Sequence, residues 1–175
     1  NRTITFYIKA LGDFTQNLAH RVRTGQKVKI EGPYGRFQLE RHKPDSHQIW
    51  VAGGIGVTPF LAWLESLQSL QASPAEAREG RNADLHYCTR SHENDPFIAR
   101  LQTLCAALPG IRLYVHSAQE GDVLTADSLK LAEGKQKKAE IWFCGPNGLA
   151  DALKQGLKSA WNGRVRFHQE AFELR

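Results

Sequence analysis

The chain has 175 residues, 41% hydrophobic and 23% charged, with 15 Gly, 7 Pro and 3 Cys. That composition excludes a disordered, collagen-like or disulfide-framework protein and suits a globular α/β or α+β chain that buries a core without staples. The formal net charge of +5 is uneven: residues 1–45 hold nine Lys or Arg against four Asp or Glu, whereas residues 46–175 hold fourteen of each. The excess in the N-terminal quarter suits a phosphate group, an acidic partner or a membrane surface, and equally a solvated basic face.

The sequence contains no Met and enters a strand-like run straight after Asn1-Arg2, which reads as a processed chain or an excised fragment. Its most apolar window, 49–64, is broken by Gly53, Gly54, Gly56, Thr58 and Pro59, so nothing approaches the roughly 18 apolar residues of a bilayer span. Cys88, Cys105 and Cys144 are odd in number and widely spaced, which favours a reducing, cytoplasmic setting over a secreted scaffold. Nucleic-acid binding is disfavoured, because no recognisable motif or basic stripe with interleaved aromatics is present.

In chain order, Thr3 to Ile8 is β-branched and aromatic, and Lys27 to Glu31 alternates polar and apolar residues; both patterns predict strands. Between them Gly12-Asp13-Phe14-Thr15 opens a short helix from Gln16 to about Val22, with Asp13 or Thr15 as N-cap. Gly32-Pro33-Tyr34-Gly35 predicts a turn. The polar stretch 39–47, with Pro44, places a boundary that divides the chain into 1–47 and 48–175.

Beyond the boundary, strand and helix alternate. Strands are expected at Gln48–Ala52, Ala83–Cys88, Ile111–His116, Glu140–Cys144 and Arg164–His168. Helices are expected at Pro59–Leu70, Asp95–Leu108 and Asn147–Ala160, with a short one at Thr125–Leu131 and a stop at Asn162-Gly163. This alternation predicts a doubly wound parallel sheet.

Three strand ends carry the chemistry. Gly53-Gly54-Ile55-Gly56-Val57-Thr58-Pro59 follows a buried strand and opens a helix. Backbone N–H groups and the helix dipole converge there and glycines let an anion approach, so the loop suits a pyrophosphate. Glycines that merely permit a tight turn fit the same residues, and the spacing is not that of a usual dinucleotide fingerprint. Cys144-Gly145-Pro146-Asn147 repeats the strand–turn–helix arrangement, and Thr89-Arg90-Ser91 brings a guanidinium and two hydroxyls to the same rim. Ligands of open parallel sheets bind at the carboxyl ends of strands.

In these residues the sequence resembles the ferredoxin–NADP reductase superfamily, and within it the ferric reductase and NADPH oxidase type of flavoprotein. The loop from Gly53 through Pro59 looks like the family's nicotinamide pyrophosphate loop, and Cys144-Gly145-Pro146 like its motif beside the nicotinamide. Gly32-Pro33-Tyr34-Gly35 is similar to the turn that closes the flavin barrel, Gly12-Asp13-Phe14-Thr15 to the segment meeting the FAD pyrophosphate, and Glu170-Ala171-Phe172 to the ending whose aromatic ring covers the flavin. The family's earlier arginine motif on a barrel strand has no counterpart.

The fold implied is a doubly wound α/β nucleotide-binding domain preceded by the C-terminal part of an antiparallel β-barrel flavin domain. The activity implied is hydride transfer from NAD(P)H to FAD and onward passage of electrons to a haem or iron-containing acceptor. Thr58 would hold the nicotinamide end, Cys144 and Glu170 would sit by the reacting carbon, and Phe172 would cover the flavin and move aside. Arg90, with Ser91, hints at NADP over NAD.

Duller roles fit the same residues: Cys144 as a small buried hydrophobe, Glu170 as a partner of a surface base, Phe172 as packing and Arg90 as a solvated charge. His86, Cys88 and His92 do not have the spacing of a zinc site, and no metal is expected. No nucleophile elbow or P-loop lysine occurs. The resemblance implies the cytosolic part of a membrane-tethered ferric reductase, at the cytoplasmic face. The other readings are the reductase of a soluble oxygenase or flavohaemoglobin-type system, and a non-catalytic nucleotide-binding module.

Overall fold

The computed structural model describes residues 3–32, 37–38, 46–71, 82–129, 138–160 and 164–170. The chain divides into two compact units, Asn1–Arg36 and Phe37–Arg175.

In the first unit the predicted helix is two short ones, α1 (Asp13–Gln16) and α2 (Leu18–Arg21). The N-cap is Gly12 rather than Asp13 or Thr15. The Thr15 hydroxyl folds back to accept from the N–H groups of Leu11 (3.0 Å) and Gly12 (3.1 Å). Asn17 interrupts the helix, because its side-chain amide donates to the Asp13 carbonyl (2.9 Å) and competes with the backbone ladder.

The two predicted strands of this unit do not form among its described residues. Thr3–Ile8 and Lys27–Glu31 carry no ladder, and Ile4, Phe6, Ile8, Val28 and Ile30 are all exposed. Alternation tells which side of a strand would be covered, but a strand exists only through pairing. Of the predicted turn, Pro33, Tyr34 and Gly35 lie outside the described residues.

The second unit is a five-stranded sheet of β1 (His47–Gly53), β2 (Ala83–Thr89), β3 (Ile111–Ser117), β4 (Lys138–Cys144) and β5 (Arg164–Glu170). The order is β3-β2-β1-β4-β5 and every pairing is parallel. The chain first winds outward from β1 to β3, then returns to place β4 on the other side of β1. That reversal makes the β1–β4 junction the switch point of the sheet.

Helices α3 (Thr58–Gln71), α4 (Ile98–Ala106) and α5 (Asn147–Ala160) cover its two faces. On one face Trp50, Leu85, Tyr87 and Trp142 meet Phe60, Trp63 and Leu64 of α3 and Leu101 and Leu104 of α4. Phe37 joins this layer, stacked on Trp63 with centroids 4.8 Å apart. On the other face Ile49, Val51, Ile141 and Phe143 meet Leu153 and Leu157 of α5 and Leu124 and Leu129 of the segment after β3. Burial on both faces explains why β1 reads as a continuous apolar run.

Helix α4 starts three residues later than Asp95, where the sequence pattern opens it. Asp95 precedes Pro96, which disfavours a helical backbone at that position. Its carboxylate instead accepts from the Phe97 N–H (2.8 Å) and from two side chains of β2. Of the predicted helix Thr125–Leu131, the described residues form a 3-10 turn, Asp127–Leu129; its last two residues and Asn162-Gly163 lie outside the described residues.

Candidate nucleotide site at the β1–β4 switch point

The carboxyl end of β1 runs through Gly53 into a 3-10 turn, Gly54–Val57, and then without a break into α3 at Thr58. At the end of β4, Cys144-Gly145-Pro146 leads into α5 at Asn147. The two loops press backbone against backbone. A Cβ on Gly56 would lie 2.1 Å from the Cys144 carbonyl oxygen, one on Gly53 2.6 Å from Pro146, and one on Gly145 3.0 Å from the Gly53 backbone.

Three glycines therefore serve the contact between loops, which the sequence pattern leaves open as a turn requirement. Gly54 differs. Its φ is +54° and its Cβ position meets nothing within 4 Å, so at this residue the backbone is left-handed and open. Gly54, Ile55, Thr58 and Pro59 are half-exposed, whereas Gly56 and Val57 are buried. The first N–H groups of a helical segment have no acceptor within it. Here they follow Gly54, which has no side chain and open space beside it, an arrangement that suits a diphosphate.

Cys144 is fully buried and opposite Glu170 in the β4–β5 register. Burial, with the Glu170 carboxylate adding to it, pushes the thiol up to about 12. It is a neutral thiol at physiological pH, suited to shape and weak polarity rather than to nucleophilic attack. Ala171 and Phe172 lie outside the described residues.

Farther along the rim, β2 ends in Thr89, Arg90 and Ser91. The Tyr87 hydroxyl (2.7 Å) and the Thr89 hydroxyl (2.5 Å) both donate to Asp95. Burial and this carboxylate raise the Tyr87 phenol well above its ordinary value. Arg90 accepts from the Gln119 N–H through its carbonyl (3.0 Å), and its exposed side chain has no ion pair among the described residues. Ser91 is half-exposed.

The histidines that form no zinc spacing are engaged otherwise. His86 is buried and its ring lies 3.1 Å from that of His116, which in turn meets Asp122 at 3.1 Å, while His92 pairs with Glu120 at 3.0 Å. Burial, aided by the neighbouring His116, lowers His86 to about 4. In the first unit Gly12, Asp13, Phe14 and Thr15 form the start of α1, with the Arg21 guanidinium 5.5 Å over the Phe14 ring.

Sequence reasoning missed Asp95, whose only signal is an acidic residue before a proline at a strand-to-helix connection. It also missed Lys154 and Gln169. Gln169 receives a hydrogen bond from Lys154 (2.7 Å) and donates one to Asn147 (2.9 Å).

No family model matches the chain. Among curated proteins it is 30% identical over 152 residues to a tetrachlorobenzoquinone reductase of Sphingobium chlorophenolicum, covering 86% of this chain and 43% of that protein. It is 27% identical over 158 residues to a vanillate O-demethylase oxidoreductase of Pseudomonas putida, covering 90% and 45%. The chain thus spans less than half the length of these relatives. Among solved structures, a flavohemoglobin from Malassezia yamatoensis superposes with a TM-score of 0.71 at 22% identity, over 95% of this chain and 43% of that one.

Further relatives are named as reductase subunits of monooxygenases rather than as ferric reductases or NADPH oxidases, so the finer resemblance drawn from the motifs is not supported. Nor is the membrane tether: no described helix is long and apolar enough to cross a membrane. The parallel sheet with its β1–β4 switch, the sequence relatives and the structural neighbours are consistent with the ferredoxin–NADP reductase superfamily.

Proposed function

We propose that the chain is the nucleotide-binding part of an NAD(P)H-dependent flavin reductase that serves an oxygenase-type or flavohaemoglobin-type system, with a haem or iron-containing protein as electron acceptor. The observation that carries this reading is the paired loop at the switch point. Two strand ends are locked together by glycines and leave Gly54 and the mouth of α3 open. Similarity over 89% of the chain to the beta subunit of a heme-dependent oxidative N-demethylase of Ectopseudomonas mendocina supports the choice of acceptor class.

The residues fit a dinucleotide. Backbone N–H groups at Gly54, Ile55 and Gly56 hold its diphosphate, with Val57 and Pro59 fixing the turn from behind. The Thr58 hydroxyl orients the nicotinamide end. Cys144, Gly145 and Pro146 shape the floor beside it, and the Glu170 carboxylate borders it. Asn147 contributes amide polarity at the start of α5. Arg90 and Ser91 take the adenosine ribose, where the guanidinium favours NADP through its 2′-phosphate and still admits NAD.

FAD is assigned to Gly12, Asp13, Phe14 and Thr15. The Arg21–Phe14 pair is a cationic, aromatic corner that suits such a ligand, although the Thr15 hydroxyl is committed to the cap. When bound, the two cofactors supply the hydride donor and acceptor. The protein's part is to bind, to orient and to exclude water with a neutral, buried Cys144.

Calorimetric titration of the chain with NADPH and NADH tests the site. Binding of at least one below millimolar concentration is expected, and absence of both would overturn the assignment.

A further inference from the structure

The ladder between β2 and β3 ends with Thr89 opposite Ser117, yet the two chains stay together beyond it. Ser117–Asp122 is a closed turn. Its 3-10 segment Ala118–Glu120 ends at Gly121, whose φ of +78° lets the chain double back, so that the Asp122 N–H donates to the Ser117 carbonyl at 3.0 Å. The turn is anchored on either side by buried residues, Ser117 and Leu124, and the Asp122 carboxylate meets the His116 ring at 3.1 Å. The segment Arg90–His92 that leaves β2 has two ties to this turn. The Gln119 N–H donates to the Arg90 carbonyl at 3.0 Å, and the Glu120 carboxylate lies 3.0 Å from Nδ1 of His92. The two ties stand on either side of Ser91 and use the backbone of Arg90, whose side chain stays exposed.

We propose that Glu120, acting through His92, is a positioning residue that holds Arg90 at the ribose end of the dinucleotide, so that preference for a 2′-phosphate depends on the turn after β3 as well as on the guanidinium. The inference rests on the proposed nucleotide site. It deepens that reading by a sign. A carboxylate that met the ligand itself would accept from a ribose 2′-hydroxyl and repel a 2′-phosphate. Engaged by His92, Glu120 does the opposite and favours the phosphate. It restricts the segment that carries Arg90, and only the fraction of chains with that segment in place binds NADPH at full strength.

Glu120→Ala separates the two roles by direction. Measured by calorimetry on the chain, NADPH affinity is expected to fall about threefold, because a pair whose side chains are 42% and 54% exposed is a weak tether. NADH affinity is expected to stay unchanged. His92→Ala is expected to give the same selective loss. Glu120→Gln, whose side-chain oxygen still accepts from the Nδ1–H, is expected to keep the parent affinity. Gly121→Ala meets nothing within 4 Å and strains only the left-handed turn, and it is expected to weaken NADPH selectively as well.

In an Arg90→Ala background, Glu120→Ala is expected to change neither affinity, since the tether then holds no guanidinium. Unchanged or raised NADPH affinity in Glu120→Ala, an equal loss of NADPH and NADH, or the same NADPH loss with Arg90 absent would overturn the inference. Failure of the unaltered chain to bind either nucleotide, or an NADPH-to-NADH ratio that Arg90→Ala leaves in place, would instead overturn the site on which it rests.

Discussion

The two halves of the rim are built from different materials. At the β1–β4 junction, glycine backbone meets proline and carbonyl, and a single added Cβ on Gly56 would come within 2.1 Å of the Cys144 oxygen. At the ends of β2 and β3, side chains set the geometry: Asp95 ties down Tyr87 and Thr89, His92 pairs with Glu120, and His116 with Asp122. The contrast suggests a division of labour. On the proposed site, the part common to all dinucleotides meets backbone where a Cβ at Gly53, Gly56 or Gly145 would deform the contact between loops. The part that distinguishes NADP from NAD meets the exposed side chain of Arg90.

The largest effect is expected at the backbone half. Gly56→Ala forces two loops apart and is expected to cost about 2–4 kcal/mol of stability, read as a lowered denaturant midpoint, and to abolish binding of both nucleotides. A variant as stable as the parent would break the comparison. Gly54→Ala meets open space and strains only its left-handed backbone. It is expected to cost about 1 kcal/mol, with NADPH and NADH weakened alike.

The side-chain half should respond selectively. Arg90→Ala is expected to weaken NADPH by about tenfold or more while leaving NADH within about twofold, since a charged hydrogen bond to phosphate is lost. Equal losses would remove the guanidinium from ribose recognition. Asp95→Ala frees Tyr87 and Thr89 and loosens the segment that carries Arg90. The NADPH-to-NADH affinity ratio is expected to move toward one, with a modest fall in thermal midpoint.

The smallest effect concerns pH. His86 is held near 4 in the folded chain against 6.5 as its ordinary value, so between those values the unfolded chain takes up a proton that the folded chain refuses. Stability therefore falls as pH drops from 6.5 toward 4, and His86→Phe is expected to flatten that slope in thermal melts. Asp84 acts at lower pH. Burial alone would raise its carboxyl, but hydrogen bonds from His47 and Arg112 outweigh it and hold it below 3.8. Its contribution is complete above that value and is lost as pH falls below it.

Much of the second unit is legible from the sequence because its strands are apolar on both faces and its helices begin where a strand end meets Gly, Pro or Asn. Helix α5 runs from Asn147 to Ala160 as its periodicity states. The first unit is less legible. Alternation in Lys27–Glu31 encodes a face but not a partner, and Ile30 remains exposed. Within the site, Gly53, Gly56 and Gly145 stand out in the sequence, yet their reason does not, because it lies in a contact between loops about ninety residues apart. Asp95 is an ordinary polar residue whose importance comes from its place in the fold, which no local pattern carries.

The central claim is that the β1–β4 junction holds the dinucleotide. Backbone amide chemical shifts of the isotopically labelled chain, followed through an NADPH titration, test it most directly. The account predicts the largest shifts at Gly54, Ile55, Gly56, Gly145 and Asn147, with Arg90 moving for NADPH and not for NADH. Saturable binding that leaves these amides in place and moves others would contradict it.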